Sequence, residues 1–277
     1  MCVSVAAITP LLLVGDQLHY LVLTPAEIEQ RLRNYKGNDN QREINLKTMF
    51  ENAGCSKEQL SEQLVKTLKQ PNIICTLPGE TDSTIVVGAH FDHVEMGDGV
   101  IDNWSGASLL PSLFQSLKSD TRHHTFVFIS FSGEEKGLIG SQFYVSNLSA
   151  GSLARIKAMV NMDTLGLGPT AVWVSRSDKD LVQALNTMAY LSKLPLKGVN
   201  VEKVGKSDEE PFIQHHIPAV IIHSLTQETL RVLHSPLDNY KAVRFDDYYN
   251  TYRLLSAYLA FLDDKLSTTA VNEISPK

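Results

Sequence analysis

The chain of 277 residues predicts an α/β domain in which a mixed or parallel sheet is covered by helices on both faces. Two observations carry that expectation. From Asn72 onward, apolar β-branched runs alternate with stretches of helical periodicity, the pattern of strands and covering helices. Three of those runs (Thr84 to Val87, Thr125 to Phe131, Ile156 to Val160) lead directly into segments ending in His, Asp or Glu, and buried parallel strands would gather such polar tips at one sheet edge.

Taken in order, the apolar run from Val3 to Val14 is too short to span a bilayer and lacks the basic region of a complete secretory signal. It reads either as a signal remnant or as a first strand or helix packed on the domain. Pro25 to Lys69 is rich in Glu, Lys, Gln and Leu at helical spacing, broken at Lys36 to Asn40 and at Gly54, and predicts two or three helices. The spacing then predicts strands at Ile73 to Thr76 and Thr84 to Val87, a helix at Ser105 to Leu117, a strand at Thr125 to Phe131 and a helix at Leu138 to Asn147. Strands follow at Ile156 to Val160, Ala171 to Val174 and Ala219 to Ile222, with a helix at Asp178 to Leu191. Phe245, Tyr248, Tyr249, Tyr252, Leu255, Leu259 and Leu262 mark a last long helix whose apolar stripe packs on the sheet. One domain is expected, with residues 1–71 as a mostly helical segment packed on it, 72–264 as the catalytic core and 265–277 as a loose tail.

Hydrophobic content of 43%, charged content of 20% and a net charge of −6 leave no basic surplus for nucleic acid. Three cysteines, Cys2, Cys55 and Cys75, are too few for a disulfide framework and leave the redox compartment open. Asn147-Leu148-Ser149 fits a glycosylation acceptor, a triplet common by chance.

Five stretches carry the chemistry: Gly88 to Asp92, Ile101 to Asn103, Gly133 to Glu135, Asn161 to Asp163 and His234 to Asp238. His90 ends a strand, and Asp92, two positions on, is placed to orient its imidazole, as a metal-bound histidine requires. Asp102 precedes a helix of small residues, where an N-cap is the alternative role. Glu134 and Glu135 follow an apolar strand, and two adjacent carboxylates are costly there unless a cation or shared proton compensates. Imidazole and carboxylate ligation without thiolate suits zinc or a related divalent ion. One zinc needs three protein ligands, so the surplus argues for two ions sharing a carboxylate. No His-Glu-x-x-His, Gly-x-Ser-x-Gly, phosphate-binding or dinucleotide loop competes.

In this order the motifs resemble the di-zinc exopeptidases, which include bacterial leucyl-type aminopeptidases, plasma glutamate carboxypeptidase and, more remotely, glutaminyl cyclases. The resemblance covers Asn72 to Asp264. It implies a mixed, mostly parallel eight-stranded sheet between helices, and two divalent metal ions, zinc first among them. Carried over by residue, it has His90 and Asp163 bind one ion, Glu135 and His234 the other, and Asp102 bridge both. Glu134 matches the general base acting on a metal-bridging water, Asp92 the partner of His90, and a cis peptide is implied at Asp102-Asn103. The expected substrate is a peptide with a free N-terminus, in a secreted or periplasmic setting with a cytoplasmic one as the alternative. A carboxypeptidase, for which Lys136 and Lys206 are the nearest cations, and a single-zinc glutaminyl cyclase are the competing activities.

Two positions depart from the pattern. Relatives carry Ser-Asp-His before Pro-Phe where this chain has Ser207-Asp208-Glu209-Glu210-Pro211-Phe212. Glu209 is expected either to line the cleft and attract a substrate ammonium or to start a solvated helix. Thr164 stands where relatives have methionine or another apolar residue, and is expected to weaken preference for large apolar side chains. Thr164, Glu209 and Leu233 are the substrate-binding candidates. Among the other histidines, His93 is expected near substrate, and His223, at a strand end, is the least secure of those assigned to surface or packing.

Overall fold

The computed structural model describes residues 11–12, 17–201 and 205–274. Strands β1 (Leu11–Leu12) and β2 (Gln17–Leu18) pair antiparallel; the rest of the Val3 to Val14 run lies outside the described residues. Helix α1 (Pro25–Leu32) begins in a capping box: the Glu27 amide donates to the Thr24 hydroxyl, and the Glu27 carboxylate accepts from the Thr24 amide. Helix α2 (Asp39–Asn52) is capped by Asn38.

Between Pro25 and Lys69, all of them described residues, a third helix is not found. Strand β3 (Leu60–Gln63) forms there instead and pairs antiparallel with β4 (Asn72–Leu77). The ladder satisfies the backbone groups of a polar edge segment four residues long. A disulfide joins Cys55, just past α2, to Cys75 in β4, a pairing that three scattered cysteines do not predict.

Strand β5 (Thr81–His90) leads through a loop to a π-helical turn (Val100–Trp104), helix α3 (Ser105–Ala107) and helix α4 (Leu110–Leu117). The single helix expected over Ser105 to Leu117 is thus two pieces. Pro111 lies in the first turn of α4, where its missing amide hydrogen has no intrahelical partner to lose. Then come β6 (His124–Phe131), α5 (Ile139–Ser146), α6 (Ala150–Arg155), β7 (Ile156–Met162), β8 (Thr170–Val172), α7 (Lys179–Ser192), β9 (Leu196–Gly198), α8 (Glu210–Gln214), β10 (Ala219–His223) and α9 (Phe245–Ile274). Helix α9 runs through the residues expected to form a loose tail as far as Ile274.

The eight-stranded sheet has the order β3-β4-β6-β5-β7-β10-β8-β9. Its centre, β6, β5, β7 and β10, is parallel, and β4 and β8 flank it antiparallel. Alternation along β5 shows why the middle is buried on both sides. Ile85 and Val87 enter one apolar cluster with Leu46, Phe50 and Tyr252, while Val86 enters another with Ile129, Met159 and Phe212. Helix α9 packs chiefly against α7 and α4 and meets the sheet at β8. Its buried tyrosines keep partners: Tyr248 donates to the Ser105 carbonyl at 2.8 Å, and Tyr252 accepts from the Leu23 amide at 2.8 Å. Because the central strands are parallel, His90, Phe131, Met162 and His223 end at one edge.

Candidate metal centre

Each chemical residue sits just past that edge. His90 is the last residue of β5, Glu134 and Glu135 follow β6, Asp163 follows β7, and His234 lies in the loop beyond β10. Asp102 arrives from the π-helical turn, braced by its neighbour. The Asn103 side-chain oxygen accepts from Gly106 N at 3.0 Å and Thr164 N at 3.2 Å, while its amide donates to the Met162 carbonyl at 2.8 Å. At Gly106 a Cβ would lie 2.6 Å from that Asn103 oxygen and 2.7 Å from the Met162 carbonyl, so only glycine admits this contact. The Asp102-Asn103 peptide is cis, as the resemblance implies.

The two carboxylate oxygens of Asp102 face different partners. Oδ1 lies 3.3 Å from His90 Nε2, which is itself 3.7 Å from Asp163 Oδ1. Oδ2 lies 3.3 Å from His234 Nε2, which is 3.0 Å from Glu135 Oε2. Two sets that could hold a cation, His90–Asp102–Asp163 and Asp102–Glu135–His234, therefore share Asp102; His90, Glu134 and Glu135 make a third grouping. His234 and Thr164 both have left-handed backbone, φ 50° and 58°, a strain that concentrates at functional sites.

Asp92 acts differently from the sequence expectation. His90 Nδ1 lies 3.2 Å from the Asp92 main-chain carbonyl, whereas the nearest Asp92 carboxylate oxygen is 3.7 Å away, beyond hydrogen-bond reach. That carboxylate instead accepts from the Glu134 amide at 3.0 Å and the Glu135 amide at 3.2 Å, fixing the turn that carries both glutamates.

Electrostatically the side chains crowd their protons. Burial, then the negative charges of Asp208, Asp163 and Asp102, pushes Glu134 up to about 10 despite His90, and burial with Asp102 pushes Glu135 up to about 7. Burial alone would lower the His90 pKa, but the surrounding carboxylates raise it well above the usual histidine range. Asp102 at its side raises His234 to about 9. Two buried atoms among them, His90 Nε2 and Glu135 Oε1, make no hydrogen bond. A divalent cation in each set would neutralise the carboxylates and give those atoms partners, so this donor set fits the group.

A cleft of about 290 Å³ opens over these residues, walled on its far side by Trp173, Val201, Ile221, Leu225 and Leu233. Leu233 and Thr164 line it, as expected. Thr164 is nonetheless not a polar wall: its hydroxyl donates to Asp163 Oδ1 at 3.0 Å. Glu209 does not line the cleft and is not solvated. It is fully buried, accepting from Asn161 Nδ2 at 2.9 Å with Arg176 3.3 Å away, because the start of α8 tucks beneath the end of β7. His223 does line the cleft, yet Nδ1 accepts from the Leu225 amide and Nε2 donates to the Val199 carbonyl, each at 3.0 Å. His93 turns elsewhere, 2.9 Å from Asp39. Lys136 is exposed and outside the cleft lining, and Lys206, on its rim, pairs with Glu210.

Three supporting residues carried no role in the sequence reading. Ser207 donates to Asp163 Oδ2 at 2.6 Å. Asp238 accepts from the Ile101 amide at 2.7 Å and the Asp102 amide at 3.1 Å. Asp208 is fully buried with neither carboxylate oxygen hydrogen-bonded, and burial pushes it up to about 7. Ser207 and Asp208 stand in the Ser207 to Phe212 stretch and Asp238 ends the His234 stretch, but the partners of Ser207 and Asp238 are distant in sequence and nothing local marks the burial of Asp208.

The model of peptidase family M28 matches residues 72–259. Leupeptin-inactivating enzyme 1 of Streptomyces exfoliatus is 32% identical over 152 residues, 53% of this chain and 34% of that protein. The chain spans about a third of the length of the curated relatives it matches. BSAP, a zinc aminopeptidase from Bacillus subtilis, is similar at a TM-score of 0.62 and 26% identity, covering 69% of this chain and 49% of that one. A glutaminyl cyclase from an Acidobacteriales bacterium shares the fold at a TM-score of 0.71 and 16% identity, covering 87% of this chain and 95% of that one.

Proposed function

The chain belongs to peptidase family M28, and on that premise we propose that it is a zinc-dependent aminopeptidase acting on peptides with a free N-terminus. One observation carries the reading: Asp102 turns one oxygen toward His90 and the other toward His234, with Asp163 and Glu135 beside them. His90, Asp102 and Asp163 would hold one divalent ion, and Asp102, Glu135 and His234 a second. Ions bound there would supply Lewis-acid polarisation of the scissile carbonyl and lower the pKa of a water between them.

The rest falls to the side chains. Glu134, left outside both sets, accepts the proton of the attacking water and returns it to the leaving amine. Asp92 holds Glu134 in register through its amide. Ser207 and Thr164 hold Asp163 from its two oxygens. Trp173, Ile221 and Leu233 offer apolar surface to the N-terminal side chain, while the excess of carboxylates suits its ammonium. A carboxypeptidase would need a free cation aimed at the substrate carboxylate; Lys206 is paired with Glu210. The Cys55–Cys75 disulfide supports a secreted or periplasmic setting, where such bonds persist.

The test is a panel of aminoacyl and N-blocked peptide substrates assayed with metal quantified in the same sample. Free N-termini are expected to be cleaved, blocked ones not, with two zinc ions per chain. Equal cleavage of blocked peptides sinks the aminopeptidase reading. One ion per chain with cyclisation of N-terminal glutamine identifies a cyclase instead.

A further inference from the structure

We infer that Arg42 of α2 is a positioning residue of the metal centre, its guanidinium pinning together the two ends of the single loop that joins His90, the last residue of β5, to the turn presenting Asp102. The inference rests on the two-ion reading above, and it concerns a residue outside the segment 72–259 that the family model matches.

Arg42 is fully buried. Its Nη1 donates at 3.0 Å to the carbonyl of Phe91, the residue between His90 and Asp92. Its Nη2 donates at 2.6 Å to the Asp98 carbonyl and at 3.0 Å to that of Gly99, immediately ahead of the turn that presents Asp102. All three acceptors are main-chain carbonyls. Among the described residues no carboxylate lies within ion-pair distance of this guanidinium, and its Nε has no hydrogen-bond partner. Burying a cation this way is costly, and an apolar side chain of similar length would fill the space more cheaply. What an apolar side chain lacks is a rigid planar fork that reaches both ends of that loop at once.

The surroundings are shaped to that fork. Gly99 has φ +55°, and a Cβ there would lie 3.0 Å from Arg42 Nη2 and 2.5 Å from the His93 Cβ. The Trp104 ring lies 5.5 Å from the guanidinium carbon. Asp238 secures the same segment from the His234 loop: besides its bonds to the Ile101 and Asp102 amides, its carbonyl accepts from Asp98 N at 2.7 Å. Segment 98–102 is thus fastened by Arg42 and by Asp238, and the oxygens of Asp102 face two ligand sets because both fastenings hold.

The experiment compares wild type with Arg42→Met, Arg42→Lys and, as a control for loss of a buried arginine, Arg122→Met. Arg122 is buried and likewise donates to main-chain carbonyls, of Leu117 at 2.8 Å and His19 at 2.6 Å, but it makes no hydrogen bond to the loop that Arg42 holds. Four readouts are taken: zinc affinity by chelator competition, Tm with and without zinc, the visible spectrum of the cobalt(II) form, and kcat and KM. Arg42→Met should weaken zinc binding about 10–100-fold, shrink the Tm gain on zinc loading, alter the cobalt spectrum and lower kcat with KM held within about two-fold. Arg42→Lys should recover part of each. Arg122→Met should lower both Tm values alike and leave zinc affinity and spectrum at wild-type values. Wild-type zinc affinity and spectrum in Arg42→Met, with both Tm values lowered alike, would overturn the inference; if that variant does not fold, wild-type values in Arg42→Lys overturn it. Wild-type protein that takes up no zinc overturns the two-ion reading itself, a separate outcome.

Discussion

Two adjacent glutamates with different surroundings illustrate how residue roles separate at this site. Glu135 faces His234 at 3.0 Å and Glu134 does not, so on the proposed reading replacing Glu134 with Gln would remove the proton acceptor and leave the ligands in place. The expected result is a fall in kcat of about 10²–10⁴-fold with zinc content unchanged, read by steady-state kinetics and metal analysis of one sample. His223 supplies a pH prediction. Burial lowers its pKa to about 4, and its two nitrogens are committed to Leu225 and Val199. The folded state therefore keeps it neutral while the unfolded chain protonates near pH 6.5, so stability is present above that pH and lost as pH falls toward 4. The loss is about 3 kcal/mol, seen in urea titrations of zinc-free protein, and a His223→Gln variant should lack that component. Ligand types were legible because the motifs are local. Glu209 was not, because only the fold reveals that Asn161 and Arg176 enclose it.

At the scale of elements, strands with both faces apolar announced themselves, while short or interrupted pieces did not. Strand β5 is longer than its apolar run, reaching from Thr81 to His90, because ladder partners on both sides extend it. Strand β3 has no pattern of its own and exists by pairing with β4. The Cys55–Cys75 disulfide ties α2 to that edge across a sequence separation of 20. Replacing both cysteines with serine should cost about 3 kcal/mol, measured as a lower denaturant midpoint with an unchanged fold by circular dichroism. No change in midpoint would mean the bond restrains little that packing does not already hold.

Across the whole molecule, the parallel centre of the sheet concentrates carboxylates that repel one another at one edge, so the ligand set is a local weakness of the fold until a cation occupies it. Chelation should lower Tm and restoring zinc should raise it; saturation at about 100 times Kd is worth roughly 2.7 kcal/mol, or roughly 5–10 °C for a chain of this size. Scanning calorimetry with and without chelator checks this, and an unchanged Tm would count against a resident ion. By itself the sequence determined the α/β class, the central strands and the six acidic and histidine candidates near element ends, since periodicity and side-chain type are local properties. Only the tertiary structure decided that Asp102 faces both ligand sets, that the Asp92 carboxylate serves the glutamate turn, that Glu209 is interior, and that Arg42 reaches both ends of the β5 loop from the N-terminal segment. Those contacts join residues as far as 136 positions apart, fixed by packing and hydrogen bonding that no stretch of sequence encodes alone.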